Sequence, residues 1–121
     1  MIGHRARRGP VYGPRRGIPA LLLGAALVAS AVGCARREPR AHAVAIRGFA
    51  FQPETLTVAQ GDTIVWTNDD AVPHTATARD TTWDSGSVSS GATWRLVADR
   101  PGVQSYYCLF HPNMRGTVEV R

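Results

Sequence analysis

Lysine is absent from this 121-residue chain, cysteine occurs only twice, and aromatic residues make up just 7%. The missing lysine decides how the charge is read. All 14 basic residues are Arg, and five of them (Arg5, Arg7, Arg8, Arg15, Arg16) precede residue 17. The nine that remain equal the nine acidic residues, so the later part is formally neutral although the whole chain carries +5. A neutral domain offers no electrostatic footprint for phosphate backbones, which excludes nucleic acid as a partner. Two cysteines set far apart, Cys34 and Cys108, do not make a disulfide framework. There is no helical period longer than two turns and no internal repeat, which excludes a bundle or a solenoid. The length leaves no room for a two-domain enzyme.

What stands at the N-terminus is an address. Met1 to Gly17 is Arg-rich, and Ile18 to Gly33 is a run of small and apolar residues without charge. Sixteen such residues suit the apolar core of a signal peptide better than a membrane span. The run ends in Ala31-Val32-Gly33-Cys34, similar to a bacterial lipobox, with Ala31 where Leu is usual. On that reading residues 1–33 are a lipoprotein-type signal peptide, Cys34 is lipidated, and residues 34–43 tether a domain spanning 44–121. Two alternatives stay open: cleavage after Ala29-Ser30-Ala31, releasing a soluble periplasmic protein, and an uncleaved anchor. All three put the folded part outside the cytoplasm, in the periplasm or at the cell surface. His42 falls at the tether and reads as a solvated linker histidine.

With 12 Gly and 8 Pro, the rest of the chain shows short β-favouring runs between turn residues. Val44–Phe51 alternates, followed by Thr55–Val58, Thr63–Asn68 and His74–Ala78. Thr93–Val97, Val103–Cys108 and Thr117–Arg121 complete the series, and the stretch from 79 to 91 is irregular. Seven or eight short strands predict an all-β fold, a small sandwich or barrel. Trp66, Trp94, Phe49, Phe51, Tyr106 and Val118 are the expected core.

Chemistry is concentrated between Tyr106 and Gly116. Cys108-x2-His111-x2-Met114 places a thiolate, an imidazole and a thioether within seven residues. A second imidazole, His74, follows Asn68 and Pro73 at the start of another strand. Each residue alone has a plainer role: Cys108 as a small buried hydrophobe, the histidines as caps or surface groups, Met114 as core filler. An unpaired extracytoplasmic thiol, however, is oxidised unless protected or ligated. Two His, one Cys and one Met form the donor set of a blue-copper site, trigonal His2Cys with a weak axial Met. Four protein donors leave no open position for substrate, which argues against an enzyme. Asp69 and Asp70 read as turn-capping carboxylates.

These residues, with Phe51-x-Pro53, Gly61-Asp62-Thr63, Pro73-His74-Thr75, Asp84-Ser85-Gly86 and Met114-Arg115-Gly116, resemble a small cupredoxin of the plastocyanin/amicyanin type over about residues 44–121. The ligand loop has the short, amicyanin-like spacing. The resemblance implies a Greek-key β-sandwich carrying one type 1 copper, with His74, Cys108 and His111 equatorial and Met114 axial. It implies that Asn68 ties the two ligand loops together and hydrogen-bonds near the sulfur. It also implies an apolar patch around His111, which Val72, Pro73, Leu109, Phe110 and Pro112 could supply. The function implied is one-electron transfer between extracytoplasmic redox partners (a cytochrome, a respiratory complex or a copper oxidoreductase) by a monomer. A lipid at Cys34 would hold it at a membrane surface. A copper-binding protein for delivery or storage is the alternative.

Overall fold

The computed structural model describes residues 35–121 continuously, with a few isolated positions before them. The expected signal peptide and Cys34 lie outside the described residues. Alternation of apolar and polar side chains generates eight strands: β1 (Ala41–Ile46), β2 (Phe51–Gln52), β3 (Thr55–Val58), β4 (Thr63–Asn68), β5 (Thr77–Ala78), β6 (Thr93–Val97), β7 (Gly102–Tyr107) and β8 (Arg115–Val120). In β4 and β8 every second residue is buried, the period expected of a strand with one face on the core.

The strands make two four-stranded sheets, ordered β2-β1-β4-β6 and β3-β8-β7-β5. β1 runs parallel to β4, and β3 parallel to β8; the other pairs are antiparallel. Parallel neighbours cannot be joined by a tight hairpin. Here the intervening chain crosses to the opposite sheet, which is the Greek-key sandwich the resemblance implied. No helix occurs among the described residues.

Ile46, Phe51, Ile64, Trp66, Tyr106 and Val118 fill the space between the sheets. The Trp66 ring meets Trp83, Trp94 and Tyr106 at centroid distances of 5.7, 5.2 and 5.7 Å. Its Nε1–H donates to the Tyr106 hydroxyl at 3.2 Å. Burial pushes the Tyr106 phenol up to about 12.

Several sequence expectations need correction. Val44–Phe51 is not one strand: the chain turns at Arg47–Ala50, closed by reciprocal Arg47–Ala50 backbone bonds of 3.0 and 3.2 Å. Gly48 takes a φ of 61° there, a conformation glycine adopts without steric cost. Phe49 is therefore outside the core, 53% exposed with a φ of 59°. β1 begins at Ala41, inside the expected tether, because Ala41–Ala43 find partners in Thr63–Val65. His42 is accordingly no solvated linker residue; its Nε2 lies 2.8 Å from Asp62 Oδ2. Asp62, buried, also receives Arg37 and the N–H groups of Arg40 and Ala59.

Of His74–Ala78, only Thr77–Ala78 is regular strand. The stretch 79–91 doubles back on this segment through His74–Val88 and Thr77–Asp84 pairs. It thus serves as the local partner of the chain that carries His74.

Candidate metal centre

Register determines which side chains meet. Thr77 pairs with Tyr107, and Tyr107 with Arg115, so the residues just before β5, just after β7 and just before β8 lie side by side. The seven residues between β7 and β8 fold tightly: Cys108 N–H donates to Met114 C=O at 3.1 Å and Met114 N–H to His111 C=O at 2.9 Å. Fixing both ends of so short a loop leaves its middle residue, His111, directed across at His74.

Cys108 Sγ lies 3.8 Å from His74 Nδ1 and 3.7 Å from His111 Nδ1, and the two Nδ1 atoms are 3.2 Å apart. All three donor atoms fall within 4.8 Å of one another. His74 and Cys108 are fully buried, and His111 is partly exposed. Three such atoms facing inward can ligate a cation placed between them. Two imidazoles with one thiolate suit a soft or borderline transition metal. Met114, the fourth expected donor, is buried at 3% exposure in the core beside Cys108.

The surroundings fix this arrangement. Thr75 N–H donates to Cys108 Sγ at 3.3 Å, and Leu109 N–H donates to Thr75 Oγ1 at 2.8 Å, so Thr75 fastens one loop to the other. Asn68 was expected to do this and to bond near the sulfur. Instead its amide donates to the carbonyls of Val72 (2.8 Å) and Val88 (2.9 Å), while its Oδ1 accepts the Asp70 N–H at 3.0 Å. Asn68 thus shapes the His74 loop and its 79–91 support without touching sulfur. Its short side chain at the end of β4 reaches the turn that follows and Val88, and goes no further.

Asp70 and Phe49 are the site neighbours that sequence reasoning placed elsewhere. His74 Nε2 lies 2.9 Å from Asp70 Oδ2. The same carboxylate accepts the N–H groups of Phe49 (2.9 Å) and Gly48 (2.7 Å). The Phe49 N–H foremost, then that of Gly48 and the His74 ring, hold the Asp70 carboxyl below its ordinary range, although burial pushes the other way. The Phe49 ring stands edge-on to His74 and His111, at 5.3 and 4.9 Å between centroids. Around His111 the surface is apolar: Val72, Leu109 and Phe110 are 37%, 45% and 51% exposed, and Pro73 and Pro112 are exposed beside them. Phe49 extends that patch.

A Greek-key sandwich with a buried Cys between two His at one end defines a small cupredoxin. The family model of the cupredoxin-like domain matches residues 19–120, and the chain belongs to that family. It is similar to amicyanin-alpha of Methylorubrum extorquens, 28% identical over 102 residues that cover 79% of this chain and 86% of that one. Among solved structures, an amicyanin variant in its Cu(I) form matches with a TM-score of 0.62 at 28% identity, over 67% of this chain and 82% of that one. A purple cupredoxin from Nitrosopumilus maritimus matches with 0.61 at 28%, over 69% of this chain and all of the other. A copper-containing nitrite reductase from Thermus scotoductus also matches, with 0.64 at 27%, but 75% of this chain spans only 24% of that enzyme.

Proposed function

We propose that this chain is a blue-copper electron carrier. His74 Nδ1, Cys108 Sγ and His111 Nδ1 would hold the copper, with Met114 as the fourth donor. The convergence of these three atoms within 4.8 Å, two of them on fully buried residues, carries the reading. One copper per chain would supply a one-electron Cu(I)/Cu(II) couple. The protein's own part is to hold the donors still. Thr75 and the Cys108–Met114 backbone bonds fasten the loops, and the sulfur accepts the Thr75 N–H. Donors that do not rearrange with oxidation state keep the reorganisation accompanying transfer small.

His111 is the partly exposed donor, and the apolar ring of Val72, Leu109, Phe110, Pro73 and Pro112 suits brief contact with a redox protein. The carrier acts outside the cytoplasm, as the leader indicates, and a lipid at Cys34 would keep it at the membrane beside respiratory partners. With four protein donors no position is left for substrate, which supports a carrier over an enzyme. Burial of His74 and Cys108 favours a resident metal over one exchanged for delivery or storage.

The test is the visible and EPR spectrum of the purified protein loaded with Cu(II), beside Cys108→Ala. An intense thiolate-to-copper band with small hyperfine splitting, absent from the variant, is expected. A pale spectrum unchanged by the substitution would remove Cys108 from the site and the carrier reading with it.

A further inference from the structure

We infer that Asp70 is a positioning residue for the metal centre. Its carboxylate fixes the His74 proton on Nε2, aims Nδ1 at Cys108 and His111, and favours the cupric over the cuprous state. The inference rests on the copper reading above.

The geometry is that of a clamp. Oδ2 lies 2.9 Å from His74 Nε2 and also accepts the Phe49 N–H, while Oδ1 accepts the Gly48 N–H. The Asp70 backbone N–H is itself held by Asn68 Oδ1. An anionic acceptor at Nε2 selects the tautomer with the proton there, leaving the Nδ1 lone pair free for the site. An imidazole that donates to a carboxylate is a stronger base at its other nitrogen. That basicity, and the carboxylate charge, favour a doubly charged ion over a singly charged one.

Asp70 reaches the second imidazole as well. By accepting the N–H groups of Gly48 and Phe49 it secures their left-handed turn, with φ values of 61° and 59°. That turn sets the Phe49 ring edge-on to His111, with the planes at 89°. One carboxylate thereby restrains both rings, directly at His74 and through Phe49 at His111.

Asp70→Asn keeps the shape but halves the acceptor capacity and removes the charge. Asp69→Asn is the control: Asp69 pairs with Arg47 at the surface through a 2.9 Å contact and touches no ligand. Two measurements decide. In voltammetry of the copper-loaded protein, Asp70→Asn is expected to lower the Cu(II)-over-Cu(I) binding preference about tenfold, the lower end for loss of such a partner. This corresponds to a rise of about 59 mV in reduction potential, and Asp69→Asn should move it by less than a third of that. In NMR of the Zn(II)-loaded protein, wild type and Asp69→Asn should show a slowly exchanging proton on His74 Nε2, and in Asp70→Asn the exchange of that proton should be fast.

An unchanged potential in Asp70→Asn, or an equal rise in Asp69→Asn, overturns the inference. So does a wild-type His74 with no proton on Nε2, and that result stands even if Asp70→Asn does not fold. Failure of the copper reading is separate: wild type itself then lacks the thiolate–copper band, while the zinc-protein spectrum still reports on Asp70.

Discussion

Gly116 lies opposite Tyr106 in the β7–β8 ladder, and the tyrosine ring covers it. A Cβ added at Gly116 would stand 2.3 Å from Tyr106 Cζ and 2.5 Å from both Cε1 and the hydroxyl oxygen. Carbon atoms in contact prefer about 3.5–4.0 Å, so the ring would have to retreat by more than 1 Å. It has nowhere to go: Phe51 and Trp83 lie 4.6 and 5.4 Å away on their centroids, and Tyr106 is 1% exposed. Gly116→Ala should therefore incur overpacking of about 1–3 kcal/mol. Displacing the hydroxyl also strands the buried Trp66 N–H, which adds about 1–3 kcal/mol. The middle of that range, about 4 kcal/mol, lowers Tm by about 15–30 °C in a domain of this size. The assay is thermal unfolding of the metal-free protein followed by near-ultraviolet circular dichroism, with Tyr106→Phe alongside. The phenylalanine variant loses the hydrogen bond but not the fit, so it should be the milder of the two. If Gly116→Ala melts within about 3 °C of wild type, or no lower than Tyr106→Phe, the steric argument is wrong.

Asn68→Ala removes three hydrogen bonds around the His74 loop. At about 1 kcal/mol each the loss is about 3 kcal/mol, measurable by urea unfolding, and an intact midpoint would show that water replaces the amide. Asp62 makes the protein acid-sensitive. Backbone N–H donation from Arg40 foremost, with further help from His42, Ala59 and Arg37, holds its carboxyl far below the ordinary range despite burial. A folded-state pKa below the unfolded one gives stability that is complete above the unfolded value near 3.8 and is lost as pH falls toward the folded one. Asp62→Asn should thus be less stable at neutral pH yet lose less on acidification. A variant with the same acid slope as wild type would assign the effect to other carboxylates.

The reach of the sequence follows from the range of each interaction. The sandwich was legible because alternation with period two is local, as in Thr63–Asn68 with its inward Ile64, Trp66 and Asn68. The meeting of Cys108 and His111 was legible because seven residues between two strands can only close as one loop. His74 was readable as a partner only through its place after β4, and the distances to Cys108 and His111 came from the β5–β7 register. Phe49 was misplaced because its alternation matches a core position. A turn with positive φ at Gly48 and Phe49 is stabilised by a carboxylate 21 residues away, and no local pattern encodes that. For the same reason Asp70 read as the cap of its own turn, when its acceptors serve Gly48, Phe49 and His74. Thr75 stood in the motif, but its bonds to Cys108 and Leu109 span 33 and 34 residues. The sequence by itself determined the strand pattern and the chemical identity of the candidate donors, since hydrophobic period and side-chain chemistry are properties of the residues. Only the tertiary structure decided which backbone and carboxylate groups hold those donors in place, because hydrogen-bond partners distant along the chain are chosen by the packing of the two sheets.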